Sequence, residues 1–302
     1  MQKSLLLISK ISIFTLLVLV VSSCKTIHSA ITNDISLQPG ITVSHTRLNK
    51  HTTSINRLTE YVFAHPDVPH AFDGKTILFI SDLHYPSLFE VDDLAKLGEY
   101  IKTLDYDILC LGGDFHEDVS LIAPLFEEFK NHIPKLGAYA VLGNNDYERG
   151  YNELVEVLKE NEITLLEHKV ATIKHNKDKI HIAGVRNPFD LKNNGVSPTK
   201  ELSNDDLVIL LSHTPDYAED VAIDNTDLVL AGHTHGGQVR VFGRAPIVPS
   251  KYDQRFLTGL VYNTAGIPIL VTNGIGTSNK KVRVGAPAEV MLIHLRKAVN
   301  VE

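Results

Sequence analysis

Seven residues of this chain have the types and spacing to hold metal ions. Asp82 and His84 are two apart, so in an extended segment both side chains leave the same face, and His233 and His235 repeat the arrangement. Asp114 follows Gly112-Gly113, Asn144 follows Gly143, and His213 ends an apolar run. Carboxylate, imidazole and amide oxygen together suit a hard or borderline divalent ion. The set is large enough for two ions. A pair about 3.5–4 Å apart can clamp an in-line displacement at phosphorus and generate hydroxide near neutral pH. Each residue alone reads as a turn, a cap or a surface side chain. The force lies in the order, because every one of them follows an apolar run.

Those runs are the elements that must position them. Thr76–Ser81, Asp107–Leu111, Ala138–Leu142, Leu207–Leu211 and Asp227–Ala231 have strand length and apolar character. Val91–Thr103, Ser120–Lys130 and Asn152–Asn161 carry apolar residues at helical spacing. The alternation predicts a βαβ sheet covered by helices. Ligands in such sheets gather beyond the strand C-termini, and glycines at 112, 113, 143 and 232 permit close backbone approach there. Past residue 163 the pattern turns hairpin-rich. Val170–Lys174 and Lys179–Ala183 flank a turn at 176–178, a short helical stretch separates the strands ending at 211 and 231, and further strands are expected at Val239–Phe242, Leu260–Tyr262, Ile269–Thr272 and Glu289–Leu295. Two stacked mixed sheets fit this better than one open sheet, and no G-x-G-x-x-G follows the first strand.

The ordered set Asp82-x-His84, Gly113-Asp114, Gly143-Asn144, His213 and Gly232-His233-x-His235 resembles the calcineurin-like metallophosphoesterase superfamily. The intervals are 30 residues from His84 to Asp114, 30 from Asp114 to Asn144 and 20 from His213 to His233. The segments 232–238 and 274–278 are similar to the exported, membrane-associated bacterial branch, which includes proteins linked to lipid A precursors. The resemblance covers about residues 60–296 and implies a four-layer α/β/β/α sandwich of two mixed sheets. It places Asp82, His84 and His235 on one divalent ion (manganese, iron, zinc or similar), Asn144, His213 and His233 on a second, and Asp114 between them. It implies hydrolysis of a phosphate ester or diphosphate by a hydroxide bridging the ions.

One position departs from that pattern. The usual Gly-Asn-His-Asp/Glu is here Gly143-Asn144-Asn145-Asp146. The family histidine is associated with protonation of the leaving oxygen, and an amide has no proton to give near pH 7. General acid catalysis contributes about 10²–10⁴-fold, so poor leaving groups should suffer most. Three consequences are open: action on esters or anhydrides with good leaving groups, a substitute acid such as His116, or a weakened enzyme serving as a metal-binding scaffold. Asp146, which would orient the family histidine, is left to close the turn. Arg240, Arg244, Arg255 and Arg283 follow the last ligand, and any of them could fork a phosphate. Pro246-Ile247-Val248-Pro249 could form an apolar rim.

Composition sets the frame. The chain has 302 residues, 29 Lys plus Arg against 36 Asp plus Glu, 43% apolar residues, 15 His and 2 Cys. It is too apolar for disorder, too poor in cysteine for a disulfide framework, and without the basic excess that nucleic acid requires. Residues 1–23 resemble a lipoprotein-type signal peptide: Lys3 and Lys10 precede the apolar run Ile11–Val21, and Val21-Ser22-Ser23-Cys24 resembles a lipobox. An uncleaved N-terminal anchor is the alternative. Removing the leader takes the net charge from −7 to −9, so Cys24 or the anchor, not general attraction to anionic lipid, should hold the chain to the cell envelope. Residues 24–57 read as a polar tether and 58–302 as the metallophosphoesterase domain. Cys110, inside an apolar run, reads as a buried hydrophobe. The chain is expected to act as a monomer on a phosphorylated small molecule or lipid. A UDP-2,3-diacylglucosamine-type pyrophosphatase is the branch-level alternative, disfavoured by an exported location because UDP-sugars are cytosolic.

Overall fold

The computed structural model describes residues 37–299. The leader, Cys24 and residues up to 36 lie outside the described residues. No helix among the described residues is long and apolar enough to cross a membrane.

Thirteen strands form two sheets among these residues. They are β1 (Gly40–Arg47), β2 (Arg57–His65), β3 (Thr76–Ile80), β4 (Ile108–Leu111), β5 (Ala138–Ala140), β6 (Ile163–Leu165), β7 (Lys169–His175), β8 (Asp178–Gly184), β9 (Val208–Ser212), β10 (Leu228–Ala231), β11 (Gly259–Tyr262), β12 (Pro268–Val271) and β13 (Glu289–Lys297). The first sheet runs β1-β2-β13-β3-β4-β5-β6 and the second β11-β12-β10-β9-β8-β7. Within the first, β3, β4, β5 and β6 are mutually parallel; within the second, β8, β9, β10 and β12 are. Both sheets are therefore mixed, with antiparallel strands toward their margins.

Three apolar interfaces make four layers. Strand residues alternate faces, so Leu78 and Ile80 of β3 pack outward while Ile77 and Phe79 pack between the sheets. The outward face meets α2 (Val91–Ile101), α3 (Ile122–Lys130) and α5 (Tyr151–Glu160) through Leu97, Phe126 and Leu158. Cys110 lies fully buried between the sheets, in one apolar cluster with Ile182, Leu211 and Leu230 of the second. That sheet's other face takes Tyr217 from α7 (Tyr217–Asp220) and Phe256. Each such aromatic or leucine side chain is worth about 1.5–3 kcal/mol when fully buried. Burial on both faces is why β3, β4, β9 and β10 read as unbroken apolar runs.

Two expectations change. The tether does not extend to residue 57: the compact unit begins at Gln38, β1 pairs with β2 from Gly40 to Arg47, and α1 (Lys50–Thr53) follows. Seven of the eight β1 residues are exposed on this sheet edge, so the strand carries no apolar alternation. Val239–Phe242 is not a strand. It makes only isolated bridges, Val239 to Val284 and Gly285 and Val241 to Arg244. Phe242 sits at φ 52, which breaks an extended run, and its side chain is fully exposed.

Candidate metal centre

Five strand ends deliver the seven residues. β3 leads into Asp82 and His84, β4 into Asp114 and β5 into Asn144, the first residue of α4 (Asn144–Glu148). From the second sheet, β9 leads into His213 and β10 into His233 and His235. Backbone bonds lock neighbouring loops: Asp82 N–H donates to the Gly113 carbonyl, His84 N–H to that of Asp114, and Gly232 N–H to that of His213. Three bonds from two donors join the sheets here. His213 Nδ1 donates to the Gly112 carbonyl at 2.8 Å, and His233 N–H donates to both Asp82 carboxylate oxygens at 3.0 and 3.1 Å.

Five of the seven residues, Asp82, His84, Asp114, His233 and His235, have φ between 42 and 68°. Non-glycine side chains enter that region at a cost of about 1–2 kcal/mol each. Strain of this kind concentrates where side-chain direction matters more than backbone comfort.

The side chains form two clusters, Asp82–His84–His235 and Asp114–His213–His233. In the first, His84 Nε2 lies 3.1 Å from His235 Nε2, and His235 Nε2 lies 3.4 Å from Asp82 Oδ1. Asp114 Oδ2 is 3.4 Å from His84 Nε2 of the first cluster and 3.4 Å from His213 Nε2 of the second. Two donors each about 2.0–2.1 Å from an ion, at a tetrahedral angle, are about 3.4 Å apart. Asn144 lines the same cavity as Asp114, His233 and His235.

Two buried atoms here have no hydrogen-bond partner: Asn144 Oδ1 and His213 Nε2. Leaving a buried polar atom unpaired costs about 1–3 kcal/mol. The Gly112 carbonyl fixes the proton of His213 on Nδ1, which frees the Nε2 lone pair. Both orphan atoms are the donors a metal needs, and they fit one.

The field agrees. Burial opposes protonation of His213, yet the Asp114 and Asp82 charges lift it to about 10. Burial also opposes it at His84, which Glu117, Asp114 and Asp82 raise. A site that attracts protons this strongly attracts a divalent cation for the same reason. Burial holds His233 down to about 3 and His235 well below its ordinary value, which leaves both rings neutral, whereas at His84 and His213 a bound cation would have to displace a proton.

Supporting groups complete the centre. Glu117 accepts from His84 Nδ1 at 2.6 Å and is itself held by Arg149 at 3.2 Å. This carboxylate sets the ring so that Nε2 faces the cluster. The sequence reading missed it; its signal is an acid three residues after a strand-end aspartate. Asp146 takes N–H bonds from Asp114, Phe115 and Gly143 at 2.7, 2.9 and 2.9 Å, so it pins the Asp114 loop. Burial and the Asp114 charge push its carboxyl up to about 7, against those three bonds. Phe189, also missed, meets His233 edge-on at 5.1 Å.

The other candidates divide. Asn145 Nδ2 lies 3.2 Å from His84 Nδ1, whose proton goes to Glu117, while Asn145 Oδ1 accepts from Asn144 Nδ2 at 3.1 Å. His116 Nε2 is spent on the Arg149 carbonyl at 3.0 Å, so that nitrogen is not free to replace the family acid. Arg255 forks Glu219 at 3.0 and 2.9 Å, and Arg240 donates to the Gly285 carbonyl. Arg283 donates to the carbonyls of Asn273, Gly276 and Ala286, behind His235. Arg244 is exposed. Pro246, Ile247 and Pro249 line the cavity mouth.

A family model described as calcineurin-like phosphoesterase matches residues 75–237. YpbG of Bacillus subtilis is 32% identical over 222 residues, 73% of this chain and 80% of that protein. Phosphodiesterase YaeI of Escherichia coli is 32% identical over 229 residues, covering 72% and 81%. A metallophosphoesterase of Campylobacter jejuni is 28% identical over 244 residues, but these span only 61% of its length. The chain belongs to the calcineurin-like phosphoesterase family, whose members are metal-dependent phosphoesterases.

Proposed function

We propose that this protein hydrolyses phosphate ester or diphosphate bonds with two divalent ions held by Asp82, His84, Asp114, Asn144, His213, His233 and His235. The observation that carries this is Asp114 Oδ2, 3.4 Å from a donor of each cluster. Divalent ions there would polarise a phosphoryl oxygen and lower the pKa of water near them. The chain's own part is to fix seven donors, to hold their tautomers through Glu117 and Gly112, and to keep the floor buried. No group at position 145 can protonate a departing oxygen, so good leaving groups are preferred. The name of the Escherichia coli relative supports a diester substrate.

The N-terminal sequence supports a cell-envelope location facing outside the cytoplasm, with the membrane as partner through lipidated Cys24 or an anchor. We place the protein there as a monomer acting on a phosphorylated small molecule or lipid. A UDP-linked sugar is disfavoured by that location. Asn145 supports a second reading, a metal-binding scaffold of low activity. Manganese-loaded protein assayed on bis- and mono(4-nitrophenyl) phosphate separates the two. Chelator-sensitive turnover, faster on the diester, is expected. Bound metal with no turnover on either substrate, across several ions, would establish the scaffold.

A further inference from the structure

Two cavities of different character adjoin the metal centre, one lined by its donors and the other reaching it through Glu117 and Asn145, which lie against His84. On one side a cavity of ≈ 490 Å³ starts at Asp114, Asn144, His233 and His235 and continues along Val239, Pro246, Ile247, Pro249 and Val282. On the other, a pocket of ≈ 440 Å³ is bounded by Asn145, Glu117, Arg149, Lys280 and Lys281. The two meet at Ser278–Lys280, which lines both. In the cationic pocket Glu117 is already spent on His84 and Arg149, while Lys280 and Lys281 are exposed.

The walls have an unusual composition. The chain carries 36 acids in 302 residues, yet segments 232–250 and 271–288 contain none, and they hold Arg240, Arg244, Lys280, Lys281 and Arg283. The same segments expose Val241, Phe242, Ile247, Val282 and Val284 to solvent. Isolated exposed aliphatics need no explanation, but these five lie on two loops that themselves line the cavity through Val239, Ile247 and Val282. Val239 bridges to Val284, which ties the two loops together.

We propose, resting on the phosphoesterase reading above, that the substrate is amphiphilic. It is a phosphodiester with an alkyl or acyl chain. The chain lies in the Val239–Ile247–Val282 cavity and runs out past the exposed Ile247. The phosphate sits on the metal centre, and a polar, anionic arm lies in the Arg149–Lys280–Lys281 pocket. A small soluble phosphate ester would fill only the metal end of the cavity and leave its apolar stretch empty. Apolar residues line most of one cavity and cations most of the other, with Lys280 at their junction, as the two ends of such a molecule would require.

The test is a series of alkyl 4-nitrophenyl phosphates, ethyl, butyl and octyl, each below its aggregation concentration. The nitrophenolate leaving group suits a site with Asn145. Six further methylenes, fully buried, would be worth on the order of 10³-fold in affinity. In a cavity open at one end, kcat/KM should rise about tenfold or more from ethyl to octyl, chiefly through KM, and Ile247→Asp should flatten the series. Equal kcat/KM for ethyl and octyl esters, or an Ile247→Asp series as steep as the parent's, would overturn the amphiphile assignment while leaving the phosphoesterase reading intact. No turnover of any ester would instead sink that reading. Calorimetry of manganese-loaded protein with ethyl- and octylphosphonate then decides the cavity's role. Octylphosphonate binding about tenfold or more tighter supports it, and equal affinities refute it.

Discussion

On the floor of the cleft Asp82, Asp114 and His213 are buried, each is hydrogen-bonded across loops, and a methyl added at Gly143 would run into Asp114 or at Gly232 into Asp82. On the rim, Phe242 and Ile247 project into solvent, and Gly243 has no atom near enough to hinder a side chain. The floor is built from strand ends that the sheets force together. The rim is built from loops that bury little of their apolar surface. Chemistry that must work on any phosphate needs donors placed to a few tenths of an ångström, and the strained φ values of Asp82, His84 and Asp114 are tolerated because the two sheets over-determine them. Selection among phosphates falls to the rim, where changes should alter which ester is taken more than whether any is.

The sharpest way to break this contrast is at Asp114. Asp114→Ala removes the oxygen shared by both clusters, so bound metal and kcat/KM on bis(4-nitrophenyl) phosphate should fall by well over 10²-fold, more than the about 10–100-fold typical of an outer partner. A variant within tenfold of the parent would mean the floor is not the reacting site. Glu117→Ala should show that smaller loss, as weaker metal affinity measured by competition with a chelator, because His84 stays but loses the carboxylate that orients it. Unchanged metal affinity would reduce Glu117 to a partner of Arg149.

Asn145→His tests the floor in the opposite direction. Gains should be larger on alkyl phosphates than on nitrophenyl phosphates, up to the about 10²–10⁴-fold of general acid catalysis. Equal gains on both, or none, would remove leaving-group protonation from the account. The smallest effect is expected away from floor and rim alike. Asp93 accepts from the Ser54 hydroxyl and the Glu90 N–H and pairs with Lys96. Burial opposes its ionisation, but those bonds hold its carboxyl below the ordinary carboxylate value. A lowered folded pKa gives stability that is present above about pH 4 and lost as pH falls through the folded value. Asp93→Ala should cost about 1 kcal/mol at neutral pH by denaturant melts, abolish that acid dependence and leave kcat/KM unchanged. A change in kcat/KM would show that floor and frame are not separable.

The same contrast explains what the sequence made legible. Strands buried on both faces announce themselves as apolar runs, and the polar residue after each run is the one the fold needs, so Asp82, Asp114, His213 and His233 could be found without coordinates. Strand β1 could not be, because an exposed edge strand has no buried face to pattern it. Val239–Phe242 looked like a strand for the complementary reason: its apolar residues serve a rim, not a sheet. Glu117 stayed hidden because its role depends on the ring orientation of His84, 33 residues away.

The central claim is that Asp114 joins two ions in one centre. Its most direct measurement is manganese titration of the purified protein, with bound metal counted by elemental analysis and coupling read by electron paramagnetic resonance. The account predicts two ions per chain, a spin-coupled pair signal, and loss of that signal in Asp114→Ala. One ion per chain, or two ions with only isolated manganese signals, would contradict it.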